Sequence, residues 1–173
     1  MSAVYGDEWQ ALCGKIKPLD GSGVGLDIED EVSHHLSMNV GMAYMEGNSF
    51  CFTLDIRYPI SYNKVYIYDT LTHQFPTATI TETGAHDPLY VSQDSELVKG
   101  LLDAYNEFNG TIDAPIAIGG ATYARALDNA VAFGPVFPGR QSTIHQRNER
   151  VSIEDLKNMY EIYKLAIRKL CFQ

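Results

Sequence analysis

The apolar residues of this chain follow two different periods, and the change between them limits the fold more than any single motif does. Between Leu36 and Ile56, the residues Leu36, Met38, Val40 and Met42 alternate with smaller or polar ones. Glu46, Gly47 and Asn48 then make a turn, and Ser49 to Arg57 is rich in β-formers. This pattern predicts a β-hairpin with one buried face. Further along, Leu97, Val98, Leu101, Leu102, Tyr105 and Phe108 recur at helical spacing, with Asp94 or Ser95 as cap in front and Asn109-Gly110 behind. That predicts a capped amphipathic helix. A second amphipathic helix runs along Ile153, Leu156, Met159, Tyr160, Tyr163, Ile167 and Leu170. It opens at Ser152 with Asp155 three residues on, a capping box with Asp in place of Glu.

The shorter elements complete an α/β reading. Trp9, Leu12, Cys13 and Ile16 predict an opening helix over Asp7–Lys17, stopped by Pro18 and the glycines 21, 23 and 25. Val65, Tyr68 and Leu71 suit a helix by spacing, although Val, Ile and Tyr also favour strands. Thr77 to Thr83 alternates β-branched and polar residues and predicts a third strand. Ile116–Ile118 and Val131–Phe133 read as short buried strands, with a single helical segment from Ala121 to Leu127 between them. The first half is β-rich and the second alternates strand and helix, so the expected fold is α/β, a mixed sheet with flanking helices.

Charge and cysteine content narrow the partners. The 173 residues carry 13 Lys and Arg against 22 Asp and Glu, a net charge of −9. Such a field repels phosphate backbones and anionic lipid, which argues against nucleic acid and membrane surfaces. No stretch approaches the roughly 20 apolar residues of a membrane span, and Met1 to Glu8 lacks the basic patch and apolar run of a secretory leader. A cytoplasmic protein is expected. Cys13, Cys51 and Cys171 are odd in number and scattered, which predicts reduced thiols in or near the core rather than a disulfide framework or a CxxC metal site.

Few residues stand out chemically when read one at a time. Asp27, Glu29, Asp30 and Glu31 lack the calcium-loop spacing and read as a solvated loop. His34 and His35 are adjacent, so on a strand they face opposite sides and chelate poorly together. Arg57 ends an otherwise apolar strand and needs a partner. Either Asp55, two residues back on the same face, supplies it, or the guanidinium fork is presented to a substrate carboxylate. Gly119-Gly120 allows close backbone approach, but neither the phosphate-loop nor the dinucleotide glycine pattern is present. His145 sits in a polar loop with no second His or Cys at ligand spacing, and taken alone it reads as a surface histidine.

Several blocks taken together carry more. GGATYAR (119–125), VAFGP (131–135), FPG (137–139), HQRNE (145–149) and IEDL (153–156) follow in order. They resemble the C-terminal stretch of dinuclear-zinc dipeptidases of the peptidase V, or Xaa-His dipeptidase, type, among the aminoacylase/carboxypeptidase-like metallopeptidases. Upstream, IEDEVS (28–33), MNVG (38–41) and DIRYP (55–59) resemble the second part of that family's lid domain. The likeness runs from about Gly23 onward. Two departures are visible: Ala121 stands where the family has a further glycine, and Ser33-His34 where it commonly has Ser-Gly.

The resemblance implies a division of the chain and a set of roles. Residues 1–84 would be the second part of a lid, or dimerisation-like, domain, and residues 85–173 the C-terminal part of a zinc-peptidase catalytic domain. Arg57 would hold the terminal carboxylate of a dipeptide, Gly119, Gly120 and Thr122 would lie beside the substrate, and His145 would be a zinc ligand. Two zinc ions serve such a site, where metal-bound hydroxide attacks the peptide carbonyl. The family's remaining ligands, its general base and its lid histidine belong to an N-terminal half for which this sequence has no counterpart. The expectation is therefore a fragment, inactive and without tightly bound zinc by itself, whose uncovered apolar surface favours self-association. The rival expectation is a non-catalytic binding or regulatory module derived from such an enzyme.

Overall fold

The structure is a computed structural model that describes residues 2–134 and 136–172, and the side chains of all of these but 2–5 and 8. It holds helices and small antiparallel sheets, the α/β mixture the sequence predicts. The chain divides into two compact units, one of Met1–Leu89 with Ala117–Gly120, the other of Tyr90–Ile116 with Ala121–Gln173. No helix among the described residues is long and apolar enough to cross a membrane.

The first unit opens with helix α1 (Ser2–Ile16), interrupted at Gly6, and a 3-10 turn (Ser22–Val24). Two short strands follow, β1 (Glu29–Asp30) and β2 (His34–His35), paired antiparallel. The predicted hairpin is β3 (Ser37–Glu46) and β4 (Ser49–Arg57), in register from Glu46 opposite Ser49 to Ser37 opposite Arg57, with a bulge between Val40 and Met42. The bulge separates two environments. On one side Met38 is buried and Leu54 and Ile56 pack on the core, whereas beyond it Met42 and Tyr44 are exposed. Helix α2 (Lys64–Gln74) takes the alternative its spacing offered. The Asn63 side chain accepts from the Tyr66 N–H as its cap, and Ile67 and Leu71 face inward. Those two residues join Val24, Leu26, Ile28, Leu36 and Met38 in the core of the unit.

The second unit is built on α3 (Glu96–Asn109) and α4 (Ile153–Cys171). Ser95 caps α3 by accepting from the Val98 N–H, and Gly110 ends it in the left-handed conformation at φ 67°, which a side chain would strain. Ser152 caps α4 through the Asp155 N–H, as its sequence implied. The helices approach so closely that a Cβ on Gly100 would collide with Leu170. The segment before α4 is anchored by Tyr163, whose hydroxyl donates to the Phe133 carbonyl at 2.8 Å while the two rings lie 5.6 Å apart.

Several expected elements do not form. Thr77–Thr83, Ile116–Ile118 and Val131–Phe133 are irregular, because none of them meets a strand with which to share a ladder. β-branched residues favour a strand only where pairing is available. The helical segment expected over Ala121–Leu127 shrinks to a 3-10 turn at Tyr123–Ala126. All three cysteines are free, as expected, but only Cys13 and Cys51 are half-buried. Cys171 is exposed in the last turn of α4.

Candidate functional site

Arg57 is the last residue of β4, held there by its pairing with Ser37. The buried proline after it and the tyrosine between them fix the chain's exit. Pro59 is fully enclosed, and the Tyr58 hydroxyl donates to the Asp87 carboxylate at 3.0 Å. The guanidinium is half exposed. Nη1 donates to the Gly119 carbonyl and Nη2 pairs with Asp55 at 3.4 Å. Both alternatives left open by the sequence thus have a physical basis. Asp55 is a partner, but a long and solvent-exposed one of the kind worth little. The guanidinium has five donors, and those not engaged by Gly119 and Asp55 have no protein acceptor among the described residues.

The turn that follows this strand end meets a polar knot at Asp30, within the acidic run expected from the sequence to be a solvated loop. One oxygen of Asp30 accepts from the Val32 N–H at 2.9 Å, the Ser33 N–H at 2.5 Å and the Ser33 hydroxyl at 2.9 Å. The other accepts from the N–H and the hydroxyl of Ser61, each at 3.1 Å. The Ser33 hydroxyl oxygen also receives the Ile60 N–H at 2.9 Å. Burial opposes ionisation of Asp30, but the donors of Ser33 and Ser61 outweigh it and hold the carboxyl well below the usual carboxylate range. The spacing of Asp30 and Ser33 is a side-chain turn signal in the sequence. Ser61, 31 residues away from Asp30, gives no such signal.

Gly119 and Gly120 belong to the first unit, so Arg57 and Gly119 are brought together. Thr122 and His145 belong to the second. Thr122 is the extended residue before the 3-10 turn and accepts the Arg125 N–H at 3.3 Å, and Tyr123 is almost wholly exposed. Pro135, within the VAFGP block, lies outside the described residues. His145 is exposed in a loop that Thr143 closes, its hydroxyl donating to the Arg150 carbonyl and accepting the Arg150 N–H, both at 3.1 Å. Within that loop His145 and Asn148 are left-handed, at φ 59° and 63°, a conformation that costs energy for residues with a side chain and must be held by its surroundings. The loop's approach to α4 is tied by Arg140, which donates to Glu154 at 2.8 Å and to the buried Asp155 at 3.2 Å.

A catalytic zinc takes about three protein ligands. Among the described residues no three His, Cys, Asp or Glu side chains converge as a metal site. His145 is accessible enough to be one ligand, but the described residues do not by themselves make a zinc site. His34 and His35 do not cooperate either: His34 is left-handed, and His35 pairs with Glu29 at 3.0 Å.

Comparison with known proteins identifies the family. Residues 9–169 match the profile described as peptidase family M20/M25/M40. The chain is 40% identical over 154 residues to a Bacillus subtilis (strain 168) protein named "Putative dipeptidase YtjP", a match covering 87% of this chain and 32% of that protein. It is 30% identical over 156 residues to a protein of Staphylococcus aureus (strain USA300) also named a "Putative dipeptidase", covering 88% and 33%. The same figures hold for a counterpart in Staphylococcus aureus (strain N315). The chain spans about a third of the length of these curated relatives. With the family's profile matched along nearly all of its length, this chain belongs to peptidase family M20/M25/M40.

Proposed function

We propose that this chain is part of a zinc-dependent metallodipeptidase of the peptidase V type, the part that grips the substrate's terminal carboxylate and supplies one histidine to the dinuclear metal site. The observation that carries this reading is the meeting of Arg57 with the Gly119 carbonyl. Two blocks 62 residues apart, both assigned to the dipeptide by the one family resemblance, meet through this contact. In this reading Arg57 forks onto the free C-terminal carboxylate, Gly119 and Gly120 let the peptide backbone approach, and Thr122 lies beside it. His145 offers its imidazole from the loop closed by Thr143, and the remaining ligands come from the two-thirds of the relatives' length that this chain does not span. Residues 1–84 form the second part of the lid and residues 85–173 the end of the catalytic domain, in a cytoplasmic enzyme.

The test has two arms. Zinc content after dialysis and dipeptide hydrolysis are measured for this chain, and His145→Ala is assayed in a full-length enzyme carrying the segment. The proposal requires substoichiometric zinc and no turnover from the chain, and loss of activity in the full-length variant. Stoichiometric zinc with turnover from the chain, or a fully active His145→Ala enzyme, contradicts it. A full-length protein that binds dipeptides without cleaving them would favour the non-catalytic binding module.

A further inference from the structure

We propose that Asp30 is a positioning residue for Arg57: its carboxylate bolts the turn after β4 onto the β1–β2 hairpin and so fixes the strand end from which the guanidinium projects. The inference rests on Arg57 being the carboxylate clamp, but it concerns a different residue and a different observable.

The geometry divides the labour between the two carboxylate oxygens. One gathers the β1–β2 turn through Val32 and Ser33 and the other captures Ser61, while Ser33 relays to Ile60. A carboxylate has about four lone-pair positions, so five donors saturate it. Arg57 forms the last pair of the β3–β4 ladder, and the four residues that follow it run directly into this bolt. Between the two anchors Pro59 is enclosed and locks its own backbone, and Tyr58 is tied to Asp87. With the bolt in place the strand end is held on both sides. Without it the terminal ladder pair is free to fray, as unsupported element ends do. A fork that must meet a planar carboxylate on two parallel bonds is sensitive to such loosening in a way a point charge is not.

Asp30→Asn is the decisive variant, because it keeps the oxygen that serves Val32 and Ser33 while placing an NH2 group against the donors of Ser61. Ser61→Ala is the milder companion, removing a single hydroxyl donor. Both are made in this chain, labelled with ¹⁵N-arginine, and the order of the Arg57 Nε–H is read by NMR relaxation. The methyl signals of Val24 and Leu36 and the fluorescence of Trp9 report that the unit remains folded. Glycylglycine and its C-terminal amide are then titrated as probes.

The inference predicts that Asp30→Asn takes the Arg57 Nε–H from ordered to below an order parameter of about 0.6, with core signals unchanged. Glycylglycine should bind on the order of tenfold more weakly, the loss of one good bond of the fork, and the amide no differently. Ser61→Ala should show a smaller change in the same direction, and it decides the question if Asp30→Asn fails to fold. Unchanged order and unchanged glycylglycine affinity in a folded variant overturn the inference. Arg57 order that still depends on Asp30, together with a full-length Arg57→Lys enzyme that loses the free dipeptide and its amide alike, overturns the carboxylate-clamp reading instead.

Discussion

Leu36→Ala tests whether the first unit is held together where the structure places its core. Leu36 is only 2% exposed, packed among Val24, Leu26, Ile28, Met38, Ile67 and Leu71. Its Cδ2 lies 2.7 Å from the point a Cβ on Gly21 would occupy, so there is little slack around it. Truncation removes three carbons, worth about 2.4 kcal/mol at roughly 0.8 kcal/mol for each buried methylene. A residual cavity adds to this, and leucine-to-alanine changes in well-packed cores cost about 2.7–5 kcal/mol. Here Leu54, Ile56, Tyr58, Tyr62, Phe75 and Ile80 are only partly buried around the cluster and can move inward. The lower end, about 3 kcal/mol, is therefore expected. Trp9, the single tryptophan, lies 4.7 Å from Phe50 within this unit, so its fluorescence in urea follows the first unit alone. With a urea slope of about 1–3 kcal/mol/M, the midpoint should fall by about 1–3 M, whereas Met42→Ala, 58% exposed beyond the bulge, should shift it by less than about 0.5 kcal/mol equivalent. Equal shifts for the two variants would refute this placement of the core.

Further outcomes are expected from the same physical arguments. Ser152→Ala removes the side-chain acceptor of the Asp155 N–H and should cost about 1 kcal/mol of stability in the second unit, read by hydrogen exchange along α4. Gly100→Val should push the Leu170 side chain out of its place between α3 and α4, because even a Cβ there meets it, and should shift the Leu170 methyl resonances. Because the Asp30 carboxyl is depressed in the folded state, its contribution is complete above its unfolded value near 3.8 and is lost as pH falls toward the folded one. The stability difference between wild type and Asp30→Asn should then be constant above about pH 5 and shrink in more acid solution, as followed by Trp9 fluorescence. The outward residues Ile153, Tyr160 and Ile167 of α4 and Ile112 and Ile116 before it are exposed. Light scattering should detect self-association of the chain at high concentration, and a monodisperse monomer would count against it.

Local signals in the sequence were the legible ones. Ser95 and Gly110 bound α3, Ser152 opens α4, and the alternation around the Glu46–Asn48 turn sets the β3–β4 register, because each of these is decided within a few residues. Thr77–Thr83 misleads because its β-branched residues state a preference, whereas a strand also requires a partner in space. Helix α2 was ambiguous for the converse reason: aromatic and β-branched residues in Val65–Tyr68 weigh against a helix, and the Asn63 cap with the core contacts of Ile67 and Leu71 decides for it. At the candidate site, Arg57 was legible as a charge ending an apolar strand, and Asp55 as its near partner. Gly119 as a second partner, and the capture of Ser61 by Asp30, join residues 62 and 31 positions apart and leave no periodic trace. The left-handed backbone at His145 and Asn148 was likewise hidden, since His and Asn only tolerate that conformation and nothing local in the sequence marks the Thr143–Arg150 closure around them.

The central claim is that Arg57 reads the free carboxylate of a dipeptide. Its most direct test is kcat/KM for a dipeptide and for its C-terminal amide in a full-length enzyme carrying this segment, with Arg57 intact and as Arg57→Lys. A lysine keeps the charge and loses the fork, so the free dipeptide should lose on the order of tenfold or more while the amide changes little. Equal losses on both substrates would contradict the claim and return Arg57 to a structural pairing with Asp55.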